Sequence, residues 1–379
     1  MRYSLRRDND WILIGTTFAL ALFGLLMVFS ASYVEGYTTQ DGNLYYFIIR
    51  QVVWFLLATG VFIVVMHFPF RFYRKLTPFI ILGSVVLLAL VLLVGTDVAG
   101  ATRWLQIGPF RMQPSEFVKL GVVIYLAQVY SKKQAYIDNF VNGVMPPLIV
   151  VGVIFAMIMF QPDLGTGTAI LLSAILLVFF SGARWRHLIG LGAVGGVVFG
   201  LLAILEPYRL SRIVSFSDPF ADMSGSGWQL ISGYMAMANG GLTGTGLGQS
   251  LQKLRHLPEG HTDFILVIIA EELGLLGVLF VFVSYAVILF RGVRIGTKCR
   301  SPFGSLLAFG IVFQLAIQVI FNIGAVSGML PITGITLPLV SNGGSSLLIT
   351  LTSIAILANI ARYNKRFELT QTKDDSRSA

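Results

Sequence analysis

Leu257-Pro258-Glu259-Gly260-His261-Thr262-Asp263-Phe264 closes a polar, glycine-rich stretch that runs from Arg209 to Glu272 and there re-enters apolar sequence. The chain around it is 55% apolar and only 12% charged, so a polar stretch this long is more than a connection. Asp263 stands where the stretch meets hydrocarbon, and chemistry is expected there.

Ordinary soluble domains carry about a quarter charged residues. Half that share over 379 residues, with a mean hydropathy of +0.79, describes an integral membrane protein. One cysteine, Cys299, excludes a disulfide framework and a cysteine-cluster metal site. Four scattered histidines argue against zinc. The net charge of +9 lies in short basic clusters between apolar runs rather than in a stripe interleaved with aromatics, which argues against nucleic acid.

A helical span needs about 20 apolar residues. The first candidate, Trp11 to Ser32, follows Arg2, Arg6 and Arg7 but is too long for the apolar core of a signal peptide, so it reads as an uncleaved span. Further spans are expected at 47–68, 76–96, 113–130, 145–160, 164–182, 187–205, 264–290, 303–328 and 345–363. The fold class is therefore an all-α integral membrane protein of about ten transmembrane helices. A long extracytoplasmic loop, 206–263, lies between spans seven and eight. The whole chain, 1–379, reads as one polytopic membrane domain with a disordered cytoplasmic tail over 367–379. No internal repeat is evident.

Charge supports this plan. With a cytoplasmic N-terminus, the inner segments hold nineteen Lys and Arg, including Arg71, Arg74, Lys75, Lys132, Lys133, Arg291, Arg294, Arg362 and Lys365. The outer segments hold six: Arg103, Arg111, Arg209, Arg212, Lys253 and Arg255. That asymmetry places both termini in the cytoplasm. Four of the six outer cations fall in the long loop.

Several residues are costly in a membrane. A charge at mid-bilayer costs about 2.5–3.5 kcal/mol on insertion scales. Glu116 and Lys119, in span four, share a helix face at a spacing of three. They form either a structural ion pair or the lining of a polar, substrate-handling cavity. Asp163, in Gln161-Pro162-Asp163-Leu164-Gly165-Thr166-Gly167, either caps the next helix or contacts substrate or metal from a short outer loop. Gly192, Gly196 and Gly200 form a small-residue ladder that reads as a helix-packing face.

Within the long loop, Trp228 to Met235 reads as a partly apolar interfacial helix. Gly240-Gly241-Leu242-Thr243-Gly244-Thr245-Gly246-Leu247-Gly248 lacks the strand–turn–helix context of a nucleotide loop. A tight backbone path against neighbouring helices or a lipid-linked substrate is the better reading. Arg209, Arg212, Lys253 and Arg255 are candidates to hold a phosphate, the alternative being ordinary headgroup attraction. Asp263, Glu271 and Glu272 on one apolar helix demand a polar interior. Burial raises and nearby cations lower the proton affinity of a carboxylate, a balance that suits a general base. An N-cap or interfacial acid is the alternative for Asp263. The uncharged segment Leu330 to Pro338, followed by Ser341-Asn342-Gly343-Gly344-Ser345-Ser346, implies a fixed non-helical path lining the same cavity.

Taken in order, these motifs resemble the SEDS family (shape, elongation, division and sporulation), which includes RodA and FtsW. The resemblance covers nearly the whole chain. It rests on Gln113-Pro114-Ser115-Glu116 with Lys119, on Gln161 to Thr166, on Leu257-Pro258-Glu259 with His261-Thr262-Asp263-Phe264-Ile265, on Glu271-Glu272-Leu273-Gly274, on Leu330-Pro331 to Pro338 and on Gly343 to Ser346. It implies a peptidoglycan glycosyltransferase that polymerises lipid II on the outer face of the bacterial cytoplasmic membrane, for division or elongation. It implies Asp263 as the catalytic residue and a class B penicillin-binding protein, a transpeptidase, as partner. It also implies help from Mg²⁺ or Mn²⁺, with no organic cofactor. Substrate contacts are expected from Arg209, Arg212, Lys253, Arg255, Glu116, Lys119, Asp163 and Ser345. Asn342 and Gly260 depart from the family pattern, where a tyrosine and a larger residue are common, but neither touches the acidic core of the motif. Gly248-Gln249-Ser250 with Gln252-Lys253-Leu254 leans toward the division branch, and Pro331-Ile332-Thr333-Gly334 toward elongation. A lipid flippase or transporter, and a non-catalytic scaffold for the transpeptidase, are the rival classes.

Overall fold

A computed structural model of the chain describes residues 9–98, 101–108, 110–204, 216–222, 227–254, 257 and 260–378. Each of the ten apolar runs becomes a helix: α1 (Trp11–Thr39), α2 (Tyr46–His67), α3 (Tyr73–Val94), α4 (Pro114–Lys133), α5 (Met145–Met159), α6 (Leu164–Phe180), α7 (Trp185–Ile204), α9 (Ile265–Lys298), α10 (Pro302–Val326) and α11 (Gly344–Ser378). The expected interfacial helix is α8 (Trp228–Gly240). Among the described residues, seven helices are individually long and apolar enough to cross a membrane. Of the others, α6 is apolar but 17 residues long, and α4 carries the Glu116–Lys119 pair. The protein is an all-α, multi-pass membrane protein.

Helices α4, α10 and α11 form the centre. α10 packs on α4, α6 and α9, while α2 lies along α11 and α1 along α9. Both ends of the described chain meet on one face. Arg362 donates to Asn9 Oδ1 (2.8 Å), and Arg291 pairs with Asp10 (2.6 Å). Asp10 also caps α1 by accepting from Leu13 N–H (3.2 Å).

Four features differ from the sequence expectation. The segment before α4, expected on the outer side, is a small antiparallel sheet, β1 (Thr96–Val98), β2 (Ala101–Ile107) and β3 (Phe110–Met112), with Asp97 opposite Thr102 and Gln106 opposite Arg111. From β2, Arg103 donates to the carbonyls of Gln161 (3.2 Å) and Pro162, so this cation braces a turn. The tail expected to be disordered continues α11 as helix to Ser378. It is held where Lys298 pairs with Glu368 (3.0 Å), Arg300 donates to Gln371 (2.9 Å) and the Arg300 guanidinium covers the Phe367 ring. Among the described residues the ladder of Gly192, Gly196 and Gly200 has no packing partner: a Cβ placed at any of them would meet no described atom within 4 Å. α7 leans instead on α6. Finally, α9 is two helical pieces rather than one, broken at Gly274 (φ +62°, ψ −156°).

Candidate active site

The break at Gly274 explains how the long loop is held. Only glycine readily adopts that backbone conformation. The break turns Leu275 N–H, the usual donor to Glu271 O, away from the helix. The glycine-rich loop supplies donors instead: Thr245 N–H donates to Glu271 O and Gly246 N–H to Glu272 O, both at 2.9 Å. In return Leu275 N–H donates to Gly241 O (3.1 Å). A Cβ on Gly244 (φ +80°) would lie 2.2 Å from Glu272 O, so the approach requires glycine. The tight backbone path expected of this loop is therefore a seam knitted into a broken helix.

The same seam explains the two internal acids. Glu271 and Glu272 are fully buried. Glu271 accepts from Ser250 Oγ and from Leu251 N–H (3.1 Å). Glu272 accepts from Ser30 Oγ (2.5 Å) on α1 and pairs with Lys253 Nζ at 2.6 Å. That ammonium also lies 4.7 Å from the centre of the Tyr33 ring. Buried acids are tolerated when paired or hydrogen-bonded: Glu272 has a cation, and Glu271 is held by hydrogen bonds. Lys253 was expected to face a phosphate, but its charge is committed to Glu272 inside the fold. Arg209, Arg212 and Arg255, the other expected phosphate contacts, lie outside the described residues, as do Pro258 and Glu259.

Asp263 sits at the other end of this piece of α9. Phe264 occupies the cap position of the helix, and no side chain caps it, so Asp263 is not a helix cap. Its residue is 9% exposed, and its Oδ1 accepts from Thr262 Oγ1 at 3.3 Å. The backbone on either side is fixed from two other elements. Asn322 on α10 donates through its Nδ2 to both Asp263 O (2.7 Å) and Ile335 O (2.8 Å). Ser341 Oγ donates to Thr262 O (2.5 Å) while accepting from Leu337 N–H (2.8 Å). Asn342 N–H donates to His261 O (2.9 Å). The non-helical segment before α11 therefore does pack against the Asp263 turn. His261 is buried against the Phe47 ring, and its Nδ1 lies 2.9 Å from Glu35 Oε2, a contact that is short but poorly aligned for a hydrogen bond.

A second polar chain joins the starts of α4, α6 and α11. Ser345 Oγ accepts from Gln113 N–H (3.0 Å), Gln113 Nε2 donates to Asp163 Oδ2 (3.1 Å), and Asp163 Oδ1 caps α6 by accepting from Thr166 N–H (3.2 Å). Asp163 is thus both a cap and part of a network. One turn into α4, Lys119 Nζ pairs with Glu116 Oε1 at 2.7 Å, with both side chains buried. Glu116 lines a cavity of about 10 Å³ with Gln314, Gln318, Thr350 and Ser353, room for roughly one water. The pair is a buried ion pair whose carboxylate borders a small polar cavity, too small for a substrate.

Sequence reasoning passed over three positioning residues. Asn322 and Gln51 are polar residues inside apolar runs, a signal as visible as Glu116. Gln51 grips the turn before α11, donating to Ser341 O (3.2 Å) and accepting from Gly343 N–H (3.2 Å). Glu35 lies past the predicted end of the first span, and nothing in its surroundings pointed to His261. Among the described residues no three His, Cys, Asp or Glu side chains converge as a metal cage would need.

Comparison with known proteins gives a consistent result. The FtsW/RodA/SpoVE profile, described as a cell cycle protein, matches residues 10–366. The probable peptidoglycan glycosyltransferase FtsW of Bacillus subtilis is 41% identical over 385 aligned positions, spanning 99% of this chain and 96% of that one. Stage V sporulation protein E of the same organism is 40% identical over 95% of this chain and 99% of its own length. Among solved structures, a chain from a peptidoglycan synthase complex that coordinates polymerization and crosslinking superposes with a TM-score of 0.77 at 28% identity, covering 94% of this chain and 98% of that one. The rod shape determining protein RodA of Thermus thermophilus superposes with a TM-score of 0.69 at 27% identity, covering 93% and 97%.

Proposed function

The chain belongs to the FtsW/RodA/SpoVE family of cell cycle proteins, and from that premise we propose that it assembles glycan strands from lipid II with Asp263 as general base. It is a multi-pass membrane enzyme, a peptidoglycan glycosyltransferase. The observation that carries the mechanism is the setting of Asp263: a carboxylate at the joint of loop and helix, whose backbone is pinned by Asn322 and whose neighbour Thr262 is pinned by Ser341. A base must be held in place before it can act efficiently.

In the proposed reaction one lipid II presents the hydroxyl of its terminal N-acetylglucosamine. Asp263 takes the hydroxyl proton as the oxygen attacks the anomeric carbon of the donor. The bond from that carbon to the pyrophosphate breaks, undecaprenyl pyrophosphate leaves with the electron pair, and configuration inverts. Pyrophosphate is already a good leaving group, so positioning and charge stabilisation are the protein's main work. Arg209, Arg212 and Arg255 are the cations left for that charge, since Lys253 is bound to Glu272. Among the described residues no group of three acids or histidines could cage a metal, so Mg²⁺ or Mn²⁺ would be held chiefly by substrate phosphates and would neutralise the departing pyrophosphate. The Ser345–Gln113–Asp163 chain and the Glu116–Lys119 pair are proposed to shape the cavity below Asp263.

Likeness to a chain of a peptidoglycan synthase complex supports a class B penicillin-binding protein as partner. The nineteen-to-six charge asymmetry supports cytoplasmic termini and a reaction on the outer face. The test supplies purified protein with partner and lipid II and measures glycan polymer. Wild type forms polymer, while Asp263→Asn forms none at an unchanged melting temperature. Polymer from Asp263→Asn at the wild-type rate refutes the base. Lipid flipping without any polymer from wild type favours a transporter.

A further inference from the structure

On the face that holds both chain ends, an open cleft of about 620 Å³ lies between the start of α3, the end of α4 and the turn into α10. Arg71, Arg74, Lys75 and Lys132 surround it, Gln128 and Ser301 add polar groups, and the buried Phe303 ring forms part of its wall. Among the described residues no carboxylate lines it. Among the described residues none of the four cations has an ion-pair partner, whereas Arg184, Arg291 and Lys298 on the same face pair with Asp138, Asp10 and Glu368. Arg71 is preset: its Nη2 donates to Tyr363 OH (2.8 Å), and its guanidinium lies 4.7 Å from that ring's centre.

We propose that this cleft is a binding site for the phosphate of an anionic phospholipid. Topology alone requires cations on this face but not four of them around one concave space without an acid. A phosphodiester accepts from several N–H groups at once and matches that donor set. The apolar surroundings favour a lipid over a free anion. Phe72, Leu76 and Phe79 follow one another along one side of α3, all exposed, and lead away from the cleft along the helix. An acyl chain lying on that stripe leaves its phosphate among Arg71, Arg74 and Lys75.

The test uses the full chain in detergent and native mass spectrometry to titrate phosphatidylglycerol, phosphatidylcholine and inorganic phosphate. Wild type binds phosphatidylglycerol well ahead of the other two. Each cation near a membrane surface contributes roughly fivefold, so R74Q/K75Q/K132Q together weaken phosphatidylglycerol binding about a hundredfold. K133Q/R184Q/R186Q removes as much charge from the same face outside the cleft and leaves binding unchanged. Equal losses from both triple variants mean general attraction and overturn the site. Inorganic phosphate binding as tightly as phosphatidylglycerol overturns the lipid assignment. If the cleft triple variant melts early, Lys132→Gln alone must still weaken binding about fivefold, and failure to do so overturns the proposal.

Discussion

Lys253→Met separates a structural cation from a substrate contact. The Lys253 and Glu272 side chains meet at 2.6 Å with exposures of 2% and 0%. Removing the ammonium leaves the Glu272 carboxylate buried with one named partner, the Ser30 hydroxyl. Stranding a buried charge in this way costs about 3–5 kcal/mol. At about 2.1 cal/mol/K per residue, the 379-residue chain loses little more than about 1 °C per kcal/mol, so its melting temperature in detergent falls on the order of 5 °C. Replacing both partners, as Lys253→Met with Glu272→Met, removes the stranded charge together with its cause, and apolar replacement of a buried pair is often neutral. The double variant therefore recovers most of the lost melting temperature and, with it, polymer formation from lipid II. A single variant that melts like wild type yet makes no polymer, with no rescue by the second change, would refute this reasoning and return Lys253 to the phosphate site.

Gly274→Ala forces an alanine into φ +62°, ψ −156° and puts its Cβ 2.4 Å from Gly244 N, so the seam between loop and helix opens. A loss of at least about 1–3 kcal/mol is expected from backbone strain alone, read as a lower melting temperature and faster proteolysis of the loop. Asn322→Leu leaves the buried carbonyls of Asp263 and Ile335 without their shared donor, at about 1–3 kcal/mol each. It is expected to lower both melting temperature and polymer yield, whereas Asp263→Asn lowers the yield alone. Identical behaviour of the two variants would mean that Asn322 does not fix the Asp263 turn.

The helical plan was legible because hydrocarbon imposes a simple rule: runs of apolar residues become helices, and ten of them did. Where water or protein replaces lipid, that rule weakens. The strands at Thr96–Val98 and Phe110–Met112 are three residues long, below the length at which alternation is readable. α9 continues to Lys298, past its apolar stretch, because its last turns stand on the polar tail of α11 rather than in lipid. The need of Glu271 and Glu272 for a polar interior was readable from their expense. Their partners were not, since Lys253 and Ser250 lie on the preceding loop and Ser30 on the first helix. Asp163 showed its capping role through position alone, while its tie to Gln113 depended on how α4 and α6 meet. The Gly192–Gly196–Gly200 ladder misled because spacing identifies a face that can be approached closely, not one that is.

The break at Gly274 also bears on biogenesis. A helix that supplies all its own backbone hydrogen bonds can leave the insertion machinery by itself. The piece of α9 around Glu271 and Glu272 cannot, because two of its carbonyls and both its carboxylates depend on residues 245–253. Those residues precede α9 in the chain and are synthesised before it. The loop can thus serve as a template on which the helix is completed. A chain synthesised in two pieces split after Gly248 would separate Thr245 and Gly246 from the helix they complete, whereas a split in the turn between α9 and α10 would leave that order intact.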